Sequence, residues 1–280
     1  YLLVVFFGYY LKALNLRHLK KYGADIPPEF EGYINAELLK KTRDYTVENN
    51  RFSFVKSVFD NIILLVFLFG GLLNIYNSWI LSLNWNFILS GLAFFLFLTY
   101  AETFISIPFS LYSTFNIENK YGFNTMTPRL WIIDFLKSVM LSTMLMGIII
   151  SVSLWLVSAS PDYWWVWVWG FFLVFSLFIM YISPYVIEPL FNKFTPIEDK
   201  ALEDKIKNLV QKVGIKVSRI LKMDASKRST HTNAYFTGIG KVKRIILYDT
   251  LLEKMDIDET IAVLAHEIGH WKKKHVLKRI

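Results

Sequence analysis

Residues 164–187 read WWVWVWGFFLVFSLFIMYISPYVI, a run of 24 residues without a charged side chain. At 1.5 Å of rise per residue, a helix of about 20 residues crosses the roughly 30 Å hydrocarbon core of a bilayer. Tryptophans crowd the first six positions of the run, which is typical of side chains that anchor a helix at the membrane interface. The stretch therefore predicts a membrane-spanning helix.

Three more apolar runs, at 61–81, 87–111 and 138–157, predict further spans. The opening segment 1–11 is apolar but too short to cross a bilayer. Because the sequence does not begin with Met, we interpret this segment as the end of a first helix. The composition agrees, since 54% of the 280 residues are hydrophobic and the mean hydropathy is +0.37. We expect about five spans, of which the four long runs are complete.

The basic residues predict an orientation. All 31 Lys and Arg lie within residues 12–56, 120–137 and 193–279, and the connections at 76–86 and 158–163 contain none. Because Lys and Arg are enriched in cytoplasmic loops, we expect the basic segments to face the cytoplasm. The net charge of +8 could suggest nucleic acid as a partner. Two long stretches empty of Lys and Arg argue against a nucleic-acid-binding face.

The segment after the last apolar run predicts a small α+β domain. Apolar residues spaced three and four apart predict an amphipathic helix over 198–213. Asp256, followed three residues later by Glu259, predicts the start of another helix by a capping box. The chain has no cysteine, which excludes disulfides, thiolate metal sites and a cysteine nucleophile. Short strands are predicted at 215–223, 233–239 and 244–248.

The last predicted helix carries AVLAHEIGHW at 262–271. His266 and His270 are four residues apart and lie one turn apart on one face, so their imidazoles can converge on one Zn²⁺ ion. Glu267 lies about 100° round the helix from His266, which suits a general base that takes a proton from a nearby water. The pattern predicts one catalytic zinc ion.

The ligand set of this site is incomplete. A catalytic zinc normally has three protein ligands and an open position. Asp258 and Glu259 lie about 10 Å upstream along the helix axis, and His275 is half a turn out of phase, so we leave them out. The alternative is a polar cluster that binds no metal. We favour the metal, because charged groups in an apolar helix are costly without a function.

Longer segments resemble a known family. Residues 229–275, STHTNAYFTGIGKVKRIILYDTLLEKMDIDETIAVLAHEIGHWKKKH, are similar to the CAAX prenyl endopeptidases, integral-membrane zinc proteases that remove the C-terminal tripeptide of prenylated proteins. Three other segments resemble the same family: FNIENKYGFNTMTPRLWIIDFLK at 115–137, VIEPLFNKFTPIEDKALEDKI at 186–206 and RDYTVENNRFSFVKS at 43–57. These segments cover nearly the whole chain in order, which is more specific than the zinc motif alone.

The resemblance and the patterns together imply a mainly α, polytopic helical membrane protein. Residues 1–187 form its transmembrane domain, and residues 188–280 form the first part of a small α+β, zincin-like metallopeptidase domain facing the cytoplasm. The host membrane is the bacterial inner membrane or the endoplasmic reticulum, depending on the source. The implied partners are the lipid bilayer and a peptide or protein substrate, which in this family has a prenylated C-terminus.

The resemblance also assigns residues. His266 and His270 match the family's zinc ligands, and Glu267 matches its catalytic glutamate. The segment that binds extended substrate beside the zinc is matched by Asn233, Ala234 and Tyr235. In the family the third zinc ligand is a downstream glutamate between further spans that close a chamber, so we expect this ligand to lie beyond Ile280. We expect the 280-residue chain alone to be inactive.

Two alternatives stay open. One is a membrane-protein quality-control metalloprotease of the related heat-shock type, which uses the same chemistry on misfolded substrates. The other is a non-catalytic membrane scaffold or transport component.

Four charged residues near the spans need an explanation. Glu102 lies within a predicted span, so it either lines a wet cavity or lies near the membrane interface or beside a polar neighbour. Asp134 and Lys137 are three apart, and we expect them to pair with each other. Asp60 is expected to mark a solvated helix start.

Overall fold

The computed structural model describes residues 1–214, 217–237 and 244–273. The chain divides into two compact units, Tyr1–Asn124 and Thr125–Ile280. The helices of the first unit are α1 Leu2–Tyr22, α2 Ala36–Phe69, α3 Leu72–Ser82 and α4 Phe87–Tyr112, which continues into a π-helical turn at Ser113–Glu118. The second unit contains α5 Pro128–Ala159, α6 Trp164–Phe191, β1 Phe194–Pro196, α7 Lys200–Lys212, β2 Arg219–Met223, β3 Ala234–Thr237, β4 Arg244–Tyr248, α8 Asp249–Lys254 and α9 Ile257–Lys272.

Four helices in the described ranges are long and apolar enough to cross a membrane: α2, α4 with its π-helical turn, α5 and α6. The predicted number of five spans is therefore one too high. The opening segment does form a helix, α1, but its second half carries Lys12, Arg17, Lys20 and Lys21, so its apolar part stays short. The prediction of a mainly helical membrane protein followed by a small sheet is confirmed.

The span predicted over 61–81 is two helices. Helix α2 ends at Phe69, and α3 begins after Gly71, whose φ of 83° favours glycine over any residue with a Cβ. Helix α2 begins much earlier than the apolar run, because the Asn35 side chain accepts a hydrogen bond from the Glu37 amide at 2.8 Å and caps its first turn. The polar sequence after residue 36 therefore belongs to the same helix as the span.

Two of the segments that carry the family resemblance meet inside the first unit. Tyr45 on α2 donates a hydrogen bond to Glu118 at 2.6 Å. Glu48 on α2 accepts bonds from the Lys120 ammonium at 2.6 Å and the Tyr121 hydroxyl at 2.8 Å. These contacts fasten the polar half of α2 to the end of the π-helical turn.

The second unit contains a four-stranded sheet with the order β1-β2-β4-β3 among its described residues. Strands β2 and β4 are parallel, whereas β1 and β3 run antiparallel to their neighbours. One face of the sheet packs against α7 and α9 in a core that includes Ile206, Ile245 and Leu264, each with no exposed surface. The opposite face holds a smaller cluster around Leu221 and Ile246.

The predicted elements of this domain are largely confirmed. Helix α7 lies within the predicted 198–213 and buries Leu202, Ile206 and Val210 on one face. Three predicted strands correspond to β2, β3 and β4, while the parts predicted over 215–216 and 238–239 lie outside the described residues. The division into residues 1–187 and 188–280 stays a prediction.

Two expectations about charged residues are wrong. Asp134 does not pair with Lys137; it binds the Arg228 guanidinium through two hydrogen bonds, at 2.7 and 3.0 Å. Lys137 donates instead to the carbonyl of Leu190 at 2.7 Å. Asp60 is not at a helix start but lies inside α2, paired with Lys56 at 2.7 Å.

Glu102 lies well inside α4 and is exposed on its surface. It has no hydrogen bond or ion pair with another described residue. Its role as a cavity-lining group stays a prediction.

Candidate metal centre and the neighbouring edge strand

The start of α9 is set by a capping box, as the sequence predicts. The Asp256 carboxylate accepts a hydrogen bond from the Glu259 amide at 2.8 Å, and the Glu259 carboxylate accepts one from the Asp256 amide at 3.0 Å. This exchange satisfies two amides that have no partner within the helix. The helix therefore begins at a defined residue, which fixes the rotation of every later side chain.

Helix α9 packs one face into the core and turns its polar groups away from it. Thr260, Leu264 and Ile268 recur every four residues and are 1%, 0% and 3% exposed. His266 follows Leu264 by two residues, and His270 follows Ile268 by two residues. Each histidine therefore lies about 200° round the helix from the buried face, and both are exposed. Their exposure leaves them accessible to a metal ion and a substrate.

The two imidazoles converge. Their Nε2 atoms lie 3.1 Å apart and their ring centroids 4.8 Å apart. Two nitrogen ligands at 2.0–2.1 Å from a tetrahedral zinc ion would be about 3.3 Å apart. The pair therefore fits two positions of one zinc site, and the same separation suits an N–H···N hydrogen bond between the rings.

Glu267 lies between the two histidines along α9 and is half-buried. It forms no hydrogen bond or ion pair with any other described residue, so its carboxylate is available to act as a base. The residues described in the structure contain no group of three His, Cys, Asp or Glu side chains that could hold a metal. Asp258 pairs with Lys205 at 2.7 Å instead, and His275 lies outside the described residues.

Strand β3 is the edge strand beside this helix. Ala234 is 3% exposed and belongs to the same core as Leu264 and Ile268. The Tyr248 amide donates to the Asn233 carbonyl at 3.1 Å. Because antiparallel pairing alternates along a strand, the backbone groups of Ala234 and Phe236 point away from β4, toward the open edge.

Asn233 covers part of that edge. Its side-chain oxygen accepts a hydrogen bond from the outward amide of Ala234 at 2.8 Å, while the asparagine itself is exposed. The outward carbonyl of Ala234 and the amide of Phe236 have the geometry to pair with an extended peptide.

Tyr235 points to the other face of the sheet, away from α9. It packs against the cluster of Leu221 and Ile246, and its hydroxyl donates to Glu188 of α6 at 3.2 Å. Burial, followed by the negative charge of Glu188, raises the pKa of the Tyr235 hydroxyl. The structure therefore brings Asn233 and Ala234 to the edge beside α9 but turns the Tyr235 side chain away from the histidines.

The loop that leads into β3 is held from both ends. Arg228 anchors its start through Asp134, and it also donates to the Phe191 carbonyl at 2.5 Å and to the Asn192 side chain at 3.1 Å. Later in the loop, the Thr250 hydroxyl donates to the His231 carbonyl at 2.7 Å. Sequence reasoning missed Arg228, because nothing near it marks a partner 94 residues away.

Comparison with known proteins places these features in one family. A family profile described as the CAAX prenyl protease N-terminal region, with five membrane helices, matches residues 15–193. The profile of peptidase family M48 matches residues 196–280, which include the two histidines and the edge strand.

Individual proteins match along nearly the whole chain. CAAX prenyl protease 1 from Saccharomyces cerevisiae is 38% identical over 91% of this chain and 59% of its own length. Its homolog from Oryza sativa subsp. japonica is 35% identical over 99% of this chain and 66% of its own length. The crystal structure of S. mikatae Ste24p superimposes with a TM-score of 0.90 at 35% identity, covering 99% of this chain and 66% of that one.

The chain spans between 59% and 66% of the length of these three proteins. Its apolar helices and its family together define an integral, multi-pass membrane protein. The chain belongs to the CAAX prenyl protease family, within peptidase family M48.

Proposed function

We propose that the protein is a membrane-embedded zinc metalloendopeptidase that cleaves peptide bonds at the cytoplasmic side of its membrane. His266 and His270 hold the zinc ion, and Glu267 is the general base. The observation that carries the proposal is the 3.1 Å separation of the two Nε2 atoms on an exposed face of α9. The glutamate between them pairs with no other residue in the described ranges. A bound zinc ion would lower the pKa of water and polarise the scissile carbonyl.

The chain's own residues supply the base and the substrate position. Glu267 takes a proton from the attacking water and can return it to the leaving amine. An extended peptide adds to the outer edge of β3 by main-chain pairing with Ala234 and Phe236. This pairing orients the scissile bond relative to α9, which packs directly against β3.

A third protein ligand completes the site. We assign it to a glutamate outside the 280 residues, as the family resemblance implies. The tests of activity therefore use the protein at the length of its relatives, inserted in a bilayer.

The substrate class follows from the relatives. The two similar proteins from yeast and rice are named CAAX prenyl proteases, and we extend that class to this chain: its substrate is a protein with a prenylated C-terminus. The orientation follows from the basic segments, which face the cytoplasm under the positive-inside rule.

The test is a cleavage assay with two substrates, a farnesylated CAAX peptide and an unprenylated membrane protein. We expect the farnesylated peptide to lose its C-terminal tripeptide, and expect much slower cleavage of the other substrate. Preferential cleavage of the unprenylated protein would favour a quality-control protease instead. No cleavage of either substrate by zinc-loaded protein would refute the endopeptidase.

A further inference from the structure

Two arginines are neighbours on the sheet face opposite to α9. Arg219 begins β2 and Arg244 begins β4, and the parallel register places them directly beside each other. Neighbouring strands lie about 4.8 Å apart, and paired residues project from the same face. Like charges placed side by side in this way repel each other unless an anion lies between or above them.

Arg244 is buried without a negative partner. It is 7% exposed, and no carboxylate in the described part of the chain lies within ion-pair distance of it. One of its terminal nitrogens donates to the Pro184 carbonyl at 2.5 Å, and its guanidinium lies 4.3 Å from the centre of the Tyr185 ring. Its Nε is buried and has no acceptor among the described residues. A buried, unsatisfied charged donor is costly, so this geometry suits a ligand that carries oxygen acceptors.

Both arginines line a cavity of about 930 Å³ at the end of α6. Lys193, which is exposed, lines the same cavity. Neither Lys193 nor Arg219 has a side-chain partner among the described residues. The two carboxylates of the cavity wall are neutralised by other lysines: Asp224 pairs with Lys227 at 2.6 Å and Glu203 with Lys207 at 2.8 Å. The uncompensated charge of the cavity is therefore positive.

We propose that this cavity binds a phosphate group, with Arg244 and Arg219 as its main ligands and Lys193 as a third cation. Guanidinium groups bind phosphate oxygens through paired, charge-assisted hydrogen bonds. The rest of the wall is partly apolar and includes Pro189, Leu190 and Phe191 at the end of the membrane-spanning helix α6. A phospholipid headgroup and a free phosphate ester both have the required chemistry.

The experiment measures ligand binding to the lipid-free chain in detergent. Phosphatidic acid, phosphatidylcholine and inorganic phosphate are added separately, and binding is followed by native mass spectrometry and by thermal unfolding. We expect phosphatidic acid to bind more tightly than phosphatidylcholine and to raise the melting temperature. Arg219→Gln removes one charge-assisted hydrogen-bonding group, so this variant should bind phosphatidic acid roughly tenfold more weakly.

Arg129→Gln is the matched control, because Arg129 is an exposed arginine near the start of α5 that does not line the cavity. It should bind phosphatidic acid like the wild type. Because Arg219 is exposed, the Arg219→Gln variant should fold, and its melting temperature without ligand verifies this. Arg244→Gln is a second variant that we expect to lose binding of phosphatidic acid.

The arms of the experiment separate the two sources of phosphate. Binding of phosphatidic acid without competition from inorganic phosphate assigns a lipid headgroup, whereas competition assigns a free phosphate; each supports the site. Equal binding of both lipids with no effect of inorganic phosphate, or equal losses in Arg219→Gln and Arg129→Gln, would overturn it.

Discussion

Arg228 and Asp134 form a two-point ion pair between the loop that enters β3 and the second turn of α5. The bonds measure 2.7 and 3.0 Å, and only 20% and 15% of the two side chains are exposed. The same guanidinium reaches the end of α6. One residue therefore fastens the loop before the proposed substrate-binding strand to two membrane-spanning helices.

Breaking this pair should destabilise the protein. Asp134→Asn leaves the Arg228 charge largely buried without its counter-ion, and we expect a loss of about 3 kcal/mol in the free energy of unfolding. Chemical unfolding in detergent measures the change. Asp258→Asn is the control. The Asp258 side chain is 84% exposed and that of its partner Lys205 is 50% exposed, so their ion pair should contribute less than about 1 kcal/mol to the free energy of unfolding. Equal effects of the two variants would show that the buried pair has no special role.

Tyr235 should make stability depend on alkaline pH. Its folded pKa is raised by burial and by Glu188 above the usual 10.0, so the folded state keeps the phenol proton where the unfolded state loses it. This contribution is complete below pH 10.0 and falls as the pH rises above it. The stability advantage of the wild type over Tyr235→Phe should therefore shrink at high pH. A difference for Tyr235→Phe that stays constant as the pH rises would contradict the assignment.

Strand addition at β3 predicts a periodic effect of substrate methylation. N-methylating a peptide amide removes one donor, and only alternate amides of an added strand face β3. Each methyl group at a facing amide should raise KM up to roughly tenfold with little change in kcat, whereas methylation at the intervening amides should be tolerated. A uniform response along the peptide would refute main-chain pairing with Ala234 and Phe236.

Glu267→Gln separates the base from the ligands. Because Glu267 is proposed as a base and not a zinc ligand, the variant should keep its metal while cleavage falls by roughly a hundred- to ten-thousand-fold. Glu253→Gln, on the exposed surface of α8, should cleave normally. Wild-type cleavage by Glu267→Gln would reject the assignment of the base.

Local signals in the sequence predicted most of the elements of the small α+β domain and the start of α9. These signals act within one or two helical turns. The structure contains the capping box at Asp256 and the buried apolar face of α7, and it brings the two imidazoles of α9 together. The start of α2 was missed because a polar helical half gives no apolar signal, although Asn35 was available as a cap.

Contacts between distant segments could not be predicted in this way. Asp134 has a lysine three residues away, which made a local pair the simplest expectation, but its partner is 94 residues along the chain. The orientation of Tyr235 likewise depends on the register of β3 against β4, which no local pattern specifies. Asn233 and Ala234 could be placed near the zinc helix only through the family resemblance.

The zinc content of the purified protein, at the length of its relatives, tests the central claim most directly. We expect one zinc ion per chain by elemental mass spectrometry, and loss of that ion in both His266→Ala and His270→Ala. His18→Ala, on α1, should keep it. Zinc content that is unchanged in the His266 and His270 variants, or absent from the wild type after zinc is supplied, would contradict the metal centre.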